Sequence, residues 1–272
     1  MKDEVLIIEA GRVERQYFKD LWRYRELFLF LAWRDILVRY KQTVFGVLWA
    51  VLRPVLTMVV FTVVFGKIAK MPSGGVPYPV LVFSALLPWQ FFSNSFSEAS
   101  NSMIGNAGLL SKIYFPRMIM PASSIIVAFV DFLVAFMVLI GLMFYYGYPP
   151  SWTILTLPVF ILLAFLTAMG AGLFISALNV KYRDFKHLVP FVVQFGLFIS
   201  PVGFSSQLVP EKWRVLYALN PMVGVIDGFR WAILGQPFNG PALLFSVLIS
   251  TGLIILGFWY FRKMENTFVD DV

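Results

Sequence analysis

The chain has 272 residues, of which 59% are hydrophobic and only 14% charged, with a formal net charge of +7. Soluble domains carry about 25% charged residues to cover their surface, so this composition excludes a soluble globule and points to an integral membrane protein. The absence of cysteine excludes disulfides and thiolate chemistry, and the single histidine excludes a multi-histidine metal cluster. The basic balance fits Lys/Arg-rich cytoplasmic loops and calls for no nucleic acid.

Residues 1–18 are polar and mixed in charge, without the compact apolar run and small-residue site of a cleaved signal peptide. Residues 19–41 place Lys19, Arg23, Glu26, Arg34 and Asp35 roughly on one helical face, with Leu27, Leu31, Ile36 and aromatics between. These charges oppose spanning and suit an amphipathic helix lying in the cytoplasmic interface. An ordinary soluble amphipathic helix is the alternative.

The first span is predicted at residues 44–66, and KIAKMPSGGVPY after it is a loop. The second runs from Val80 to Phe96 and carries Pro88, Trp89 and Gln90, which need protein neighbours or water inside a membrane. A polar connection, 98–118, contains a short helix. The third span is 120–146, GYPPS is a turn, and the fourth span, 152–179, contains AMGAG, small residues that permit close helix packing. KYRDFKH, from Lys181, separates it from a short fifth span at 188–204. Residues 205–240 read as two short, partly re-entrant helices around Pro221, and the sixth span is 242–261. The fold expected is therefore all-α, a single transmembrane domain. Residues 1–41 form a cytoplasmic tail and interfacial helix, 44–261 a six-span bundle and 262–272 a cytoplasmic tail.

With the N-terminus inside, sixteen of the 22 lysines and arginines are cytoplasmic, five, including Arg230, are outside, and Arg53 is within the membrane. That asymmetry is the positive-inside pattern. It makes Lys181, Arg183, Asp184 and His187 a cytoplasmic loop.

No P-loop is present: Gly66–Lys67 has Phe at 61 and Ile at 68 where G-x-x-x-x-G-K-[ST] needs Gly and Ser or Thr. No HExxH or carboxylate cluster suits a metal pair, and His187 with Asp184 is a weaker candidate for a serine triad than for ordinary loop residues. Arg53 and Asp131 fall at similar predicted depth, about 14–17 Å along their helices at 1.5 Å per residue. Two such charges are expected to pair or to line one polar path, unless one of them snorkels to the headgroups. Trp89, Phe91, Phe92, Phe96, Trp152, Trp213, Tyr217, Phe229 and Trp231 gather near polar residues or span ends. Aromatic faces of this kind stack on sugar rings, although interfacial anchoring alone would also explain them.

Four stretches, in order, carry a family resemblance: RYKQTVFGVLWAVLRPVLTMVVFTVVFG at 39–66, NAGLLSKIYFPRMIMPASS at 106–124, ALNVKYRDFKHLVPFVVQFGLFISPVGF at 177–204 and LYALNPMVGVIDGFRWAILG at 216–235. Together they resemble the membrane subunit of type-2 ABC exporters, in the branch that exports bacterial O-antigen, capsule and teichoic-acid polysaccharides. The resemblance implies six spans, gate helices before the last, a homodimer in the bacterial cytoplasmic membrane with both termini cytoplasmic, and a lipid-linked polysaccharide substrate. It implies two copies of a separate ATPase that bind ATP and Mg, leaving this chain without catalytic, cofactor or metal residues. By that likeness Leu109, Leu110, Lys112, Ile113, Tyr114, Phe115 and Arg117 form the ATPase-coupling segment. Arg53, Trp89, Phe91, Phe92, Asp131, Tyr217, Phe229 and Trp231 are expected along the substrate path. Arg53 departs from the family pattern, where a neutral polar residue precedes the Pro. The competing readings are a type-2 exporter of a drug or small lipid and a membrane glycolipid transferase, which would need acid–base residues clustered at one membrane face.

Overall fold

The computed structural model describes residues 14–41, 46–110, 112, 114–149, 151–182, 184–265 and 268. The described residues form helices and connecting turns, with no strand among them. Two helices precede the bundle, α1 (Glu14–Arg23) and α2 (Arg25–Lys41), separated by a turn at Tyr24. Helix α3 (Gly46–Phe61) continues as a π-helical turn, Thr62–Ile68. Then follow α4 (Tyr78–Gly105), α5 (Ala107–Leu110), α6 (Ile119–Tyr145), α7 (Leu157–Lys181, after a 3-10 turn Trp152–Thr156) and α8 (Phe185–Ile199). The chain closes with α9 (Glu211–Ala218), α10 (Pro221–Leu234) and α11 (Gly240–Met264).

Among the described residues four segments are long and apolar enough to cross a membrane: Leu48–Ile68, Ile119–Tyr145, Trp152–Lys181 and Gly240–Met264; Phe185–Ile199 is a shorter apolar helix. Helix α4 has 28 residues, about 42 Å at 1.5 Å per residue, which is also long enough. Its composition is different. It carries Gln90, Asn94, Glu98 and Asn101, and it buries Ser84, Ser93, Ser95, Ser100 and Ser102. Helices α3, α6, α7, α8 and α10 pack around it, so its buried serines and half-buried Gln90 and Asn94 meet protein, while Glu98 and Asn101 toward its end are exposed. Several of its hydroxyls turn back to carbonyls one turn earlier, as Ser84 does to Leu81 O at 2.9 Å and Ser102 to Ala99 O at 2.8 Å.

The expected polar connection from residue 98 is shorter than its composition suggests. Residues 98–105 continue α4, burying Ala99, Ser100, Ser102 and Met103 against the bundle, where Asn179 Nδ2 on α7 donates to Ser100 O at 2.9 Å. The single interfacial helix expected over 19–41 is instead α1 and α2, and α2 does more than lie across the bundle's end, since its last turn reaches the middle of α6.

Helices α7 and α11 touch through backbone. A Cβ on Gly257 would lie 2.1 Å from Gly170 O, and one on Gly170 would lie 2.5 Å from Ile254 N. Beside this contact Thr167 and Ser250 share a hydroxyl hydrogen bond of 2.6 Å. Small residues matter here because lipid gives helices no hydrophobic reason to associate, so close approach and hydrogen bonds must hold them.

Cross-links sort the connections into two ends. At the near end Tyr17 of α1 donates to Glu265 after α11, Arg34 of α2 donates to Asn106 after α4, and Asn179 fixes the last turns of α7 to those of α4. At the far end Tyr78 Oη donates to Gly203 O at 2.5 Å, Tyr148 Oη to Leu234 O at 3.3 Å and Thr153 Oγ1 to Ala232 O at 2.7 Å. Asn220 Nδ2 donates to Ser200 Oγ at 2.9 Å where α8 ends. Both termini of α10 are thus tied to the far end, and α9–α10 is a helical hairpin confined there. Its turn chemistry is local: Asn220 caps α10 before Pro221, Gly235 ends it at φ +65°, and Asn239 caps α11.

Replacing Gly257 by Leu should lower the folded stability of the detergent-purified protein by roughly 1–3 kcal/mol or more, as overpacking does. Gly252→Leu, at a position with nothing near its Cβ, should leave the thermal unfolding midpoint almost unchanged. Equal behaviour of the two would show that the backbone contact does not hold α7 to α11.

Candidate functional site: a charged cavity and an ionic hub

Between α2, α3, α4, α6 and α8 lies a cavity of about 440 Å³. Its polar wall comprises Arg39, Arg53, Thr57, Gln90, Ser93, Asn94, Asp131 and Gln194, and its aromatic wall includes Trp49, Trp89, Phe91 and Phe132. Pro54 lies on the same wall. Having no N–H, it frees the carbonyl of Ala50 within α3, and Ala50 also lines the cavity. Thr57 adds a back-bond to Arg53 O at 2.8 Å.

Asp131 is the deepest charge on this wall. It is 8% exposed and sits about 18 Å along α6 from Ile119, at 1.5 Å per residue. The expected Arg53–Asp131 ion pair does not form. Arg39 Nη2 lies 2.7 Å from Asp131 Oδ2, and Tyr40 donates its hydroxyl to Oδ1. Equal depth brought Arg53 and Asp131 to one cavity, but the carboxylate is taken by the last turn of α2. Arg39 also donates through Nη1 to Glu98 Oε1 at 3.3 Å, so it bridges α6 and α4. Burial, reinforced by the Asp131 carboxylate, pushes the Tyr40 phenol above its usual range, which keeps it a proton donor. Arg53 is exposed to the cavity and makes no ion pair among the described residues.

The other residues expected along a substrate path divide. Trp89 and Phe91 line the cavity with Arg53 and Asp131. Phe92 does not; it packs between Trp89 and Phe96, with ring centroids at 5.5 and 5.8 Å. Phe229 is fully buried and meets Phe132 and Phe160 at 6.3 and 6.4 Å, so it fills the interior of the subunit rather than lining a route. Trp231 packs on Phe160 and Phe238. Tyr217 lines a separate cavity at the far end. Arg230 belongs to that end too, but it is 2% exposed rather than solvated, its guanidinium held by the carbonyls of Phe204, Val202 and Leu81.

A second charged centre sits at the near end. Glu265 is 8% exposed and collects four donors: the Tyr17 hydroxyl at 3.3 Å, the Arg117 N–H at 3.0 Å, the Arg262 guanidinium, and, at its backbone carbonyl, the Arg117 guanidinium. Arg262 also stacks over the Tyr17 ring at 3.7 Å. Arg117 thereby ties the 109–117 segment to α1 and α11. Within that segment Leu109 packs on the core and Phe115 is buried, while Lys112 and Tyr114 are exposed. Ile113 and the Leu110 side chain lie outside the described residues. In the α7–α8 junction Lys181, Asp184 and His187 are exposed, Asp184 and His187 share no side-chain hydrogen bond, and Arg183 lies outside the described residues.

Sequence reasoning missed Arg39, Tyr40, Glu98 and Glu265. A signal for Arg39 and Tyr40 was available: a basic residue and a phenol end an amphipathic helix just before a span, where they can reach a buried acid. Glu265 gave no signal, being one acid among several in a polar tail.

Arg39→Gln should destabilise the protein by about 3 kcal/mol, because removing one partner strands a buried carboxylate. Adding Asp131→Asn should recover most of the loss in thermal unfolding of the purified protein. If the double variant is no more stable than the single, the carboxylate is not what Arg39 secures.

Residues 26–234 match the family model described as ABC-2 type transporter. The chain is 28% identical to the O-antigen export system permease protein RfbA of Klebsiella pneumoniae over 249 residues, 90% of this chain and 94% of that protein. It is 29% identical to RfbA of Myxococcus xanthus over 215 residues, covering 78% and 82% of the two chains. It is 24% identical to the polysialic acid transport protein KpsM of Escherichia coli over 239 residues, 86% and 91%. A multi-pass, all-helical membrane chain, matched by the family model over most of its length, belongs to the ABC-2 type transporter family.

Proposed function

We propose that this permease exports a lipid-linked polysaccharide of O-antigen type across the bacterial cytoplasmic membrane, as one half of a homodimer driven by two copies of a separate ABC ATPase. The observation that carries the reading is end-to-end similarity to O-antigen export permeases, which leaves little of either chain unmatched. The four stretches that resemble polysaccharide exporters point the same way.

In this reading six segments cross the membrane: α3 with its π turn, α4, α6, α7, α8 with the residues that follow it, and α11. The near end is cytoplasmic. The positive-inside asymmetry supports that orientation, since α1, α2, Lys112, Arg117, the α7–α8 junction and the end of α11 all belong there. The ATPase docks against the segment Leu109–Arg117, where exposed Lys112 and Tyr114 are available and Arg117 is anchored through Glu265. ATP-driven closure pushes this segment, and the Glu265 hub passes the push to α1 and α11. Arg53 offers an unpaired guanidinium to the pyrophosphate of the lipid carrier, for which a charge-assisted hydrogen bond is worth about 1.5–3 kcal/mol. The aromatic wall of the same cavity supplies apolar faces for sugar rings.

Purification from native membranes in mild detergent, followed by mass spectrometry, should recover a stoichiometric P-loop ATPase; its absence under conditions that keep other membrane complexes intact would overturn the reading. In the reconstituted complex Arg53→Gln should raise the lipid-linked substrate concentration that half-stimulates ATP hydrolysis by about tenfold, equivalent to ~1.4 kcal/mol. Basal hydrolysis should be unchanged. An equal loss of both rates would remove Arg53 from headgroup binding.

A further inference from the structure

Internal bonds consume much of the polar wall of the charged cavity. Asp131 is taken by Arg39 and Tyr40, and Arg39 is held by Glu98 as well. The Thr57 hydroxyl donates to Arg53 O at 2.8 Å and the Ser93 hydroxyl to Gln90 O at 3.2 Å, so both turn back onto their own helices. What remains is the Arg53 guanidinium and the side-chain amides of Gln90, Asn94 and Gln194. None of the three amides makes a hydrogen bond among the described residues, and all are accessible. Gln194 is exposed, while Gln90 and Asn94 are half-buried with no amide atom closed to solvent.

The amides come from two sides. Gln90 and Asn94 are four residues apart on α4, about 6 Å at 1.5 Å per residue, and so share a face. Gln194 approaches from α8, where it is the only polar side chain between Leu188 and Ile199. A lone amide in so apolar a helix of a membrane chain marks a polar route rather than a lipid contact. Trp89 closes the gap between the two helices. A Cβ on Gly196 would lie 2.4 Å from the edge of its ring, so the indole rests on the α8 backbone two residues from Gln194, and it lines the same cavity.

These groups limit what the cavity can hold. Each amide offers two N–H donors and a carbonyl acceptor, so three together match a molecule with several hydroxyls, which donate and accept in turn. Arg53 adds a demand for an anionic oxygen, since two guanidiniums on the lining face one carboxylate. A simple anionic lipid would satisfy Arg53 and leave the amides unused; a neutral saccharide would do the reverse. A hexose bearing phosphate on its anomeric oxygen satisfies both, with the Trp89 indole against the apolar face of the ring.

We propose that Gln90, Asn94 and Gln194 form a sugar-reading subsite beside Arg53, which takes a glycosyl unit joined to phosphate, whether that phosphate is free or carried on a lipid. For its physiological ligand the subsite rests on the export reading above. It adds to that reading the groups that distinguish a glycan-bearing carrier from other anionic lipids.

The test uses the full-length permease in phosphatidylcholine nanodiscs, with methyl phosphate and glucose 1-phosphate as probes, read by saturation-transfer NMR. Wild type should bind glucose 1-phosphate about tenfold more tightly than methyl phosphate, as two added hydrogen bonds provide. Gln194→Leu should remove most of that preference and leave the affinity for methyl phosphate as in wild type. Its unfolding temperature should also match, because Gln194 bonds to nothing in the protein. Asn94→Leu should act in the same way, whereas Arg53→Gln should weaken both probes alike. A second pair, polyprenyl diphosphate with and without one hexose, separates the two sources of phosphate. A hexose preference there that Gln194→Leu removes assigns the subsite to the lipid-linked carrier. A preference confined to glucose 1-phosphate keeps the subsite, gives it a soluble sugar phosphate and sinks the export reading. No hexose preference by wild type in either pair, or loss of methyl phosphate together with glucose 1-phosphate in Gln194→Leu, overturns the subsite. Polysaccharide export measured alongside either of those results would spare the export reading.

Discussion

Helix α4 must be kept from lipid, and the placement of the other helices follows from that need. A helix with Gln90, Asn94 and five buried serines along its middle would be expensive in a bilayer facing hydrocarbon. Surrounded by α3, α6, α7, α8 and α10, it becomes the hydrogen-bonded axis of a bundle whose outer helices are the apolar ones. The usual soluble arrangement is thereby inverted: the most polar long helix is the most enclosed. The same enclosure frames the charged cavity, whose wall Gln90, Ser93 and Asn94 on α4 share with Arg39, Arg53 and Asp131.

Charge in this molecule is held at joints. Arg39 joins α2 to α6 and α4, Glu265 joins α1, the 109–117 segment and α11, and Arg230 joins α10 to the loop before α9 and to α4. Each involves a group nine-tenths buried or nearly so, and in each the charge meets several partners rather than one. Buried ions held this way contribute little net stability against an apolar replacement, yet they are costly to break. They consequently favour one arrangement of the helices over others.

Long uniform apolar runs were readable from sequence, and so α6, α7 and α11 begin and end within a few residues of where their hydropathy places them. The hairpin after α8 was readable too, because Asn-Pro and Gly-rich turns punctuate it. The reach of α4 past Phe96 was not, since a polar helix in contact with protein looks like a loop when only composition is seen. Depth along a helix was legible for Arg53 and Asp131, but rotation about the helix axis and the approach of α2 were not, and these decide which charge is taken. The aromatic residues illustrate the same limit. Trp89 and Phe229 look alike in sequence, yet one lines a cavity and the other fills the interior. That the amides of Gln90, Asn94 and Gln194 face one cavity emerges only when every neighbour is placed.

The backbone contact between Gly170 and Gly257 has a mechanical consequence. Side chains separate most packed helices and let them slide by changing rotamer, but here carbonyl meets α-carbon with nothing compliant between. Helices α7 and α11 are therefore a stator, unable to change their spacing without parting altogether. Compliance must be found in α3, where Pro54 and the π turn interrupt the regular ladder, and in α8, which carries Pro190 and buries only Val189. Those two helices border the charged cavity, so the segments best able to yield form part of its wall.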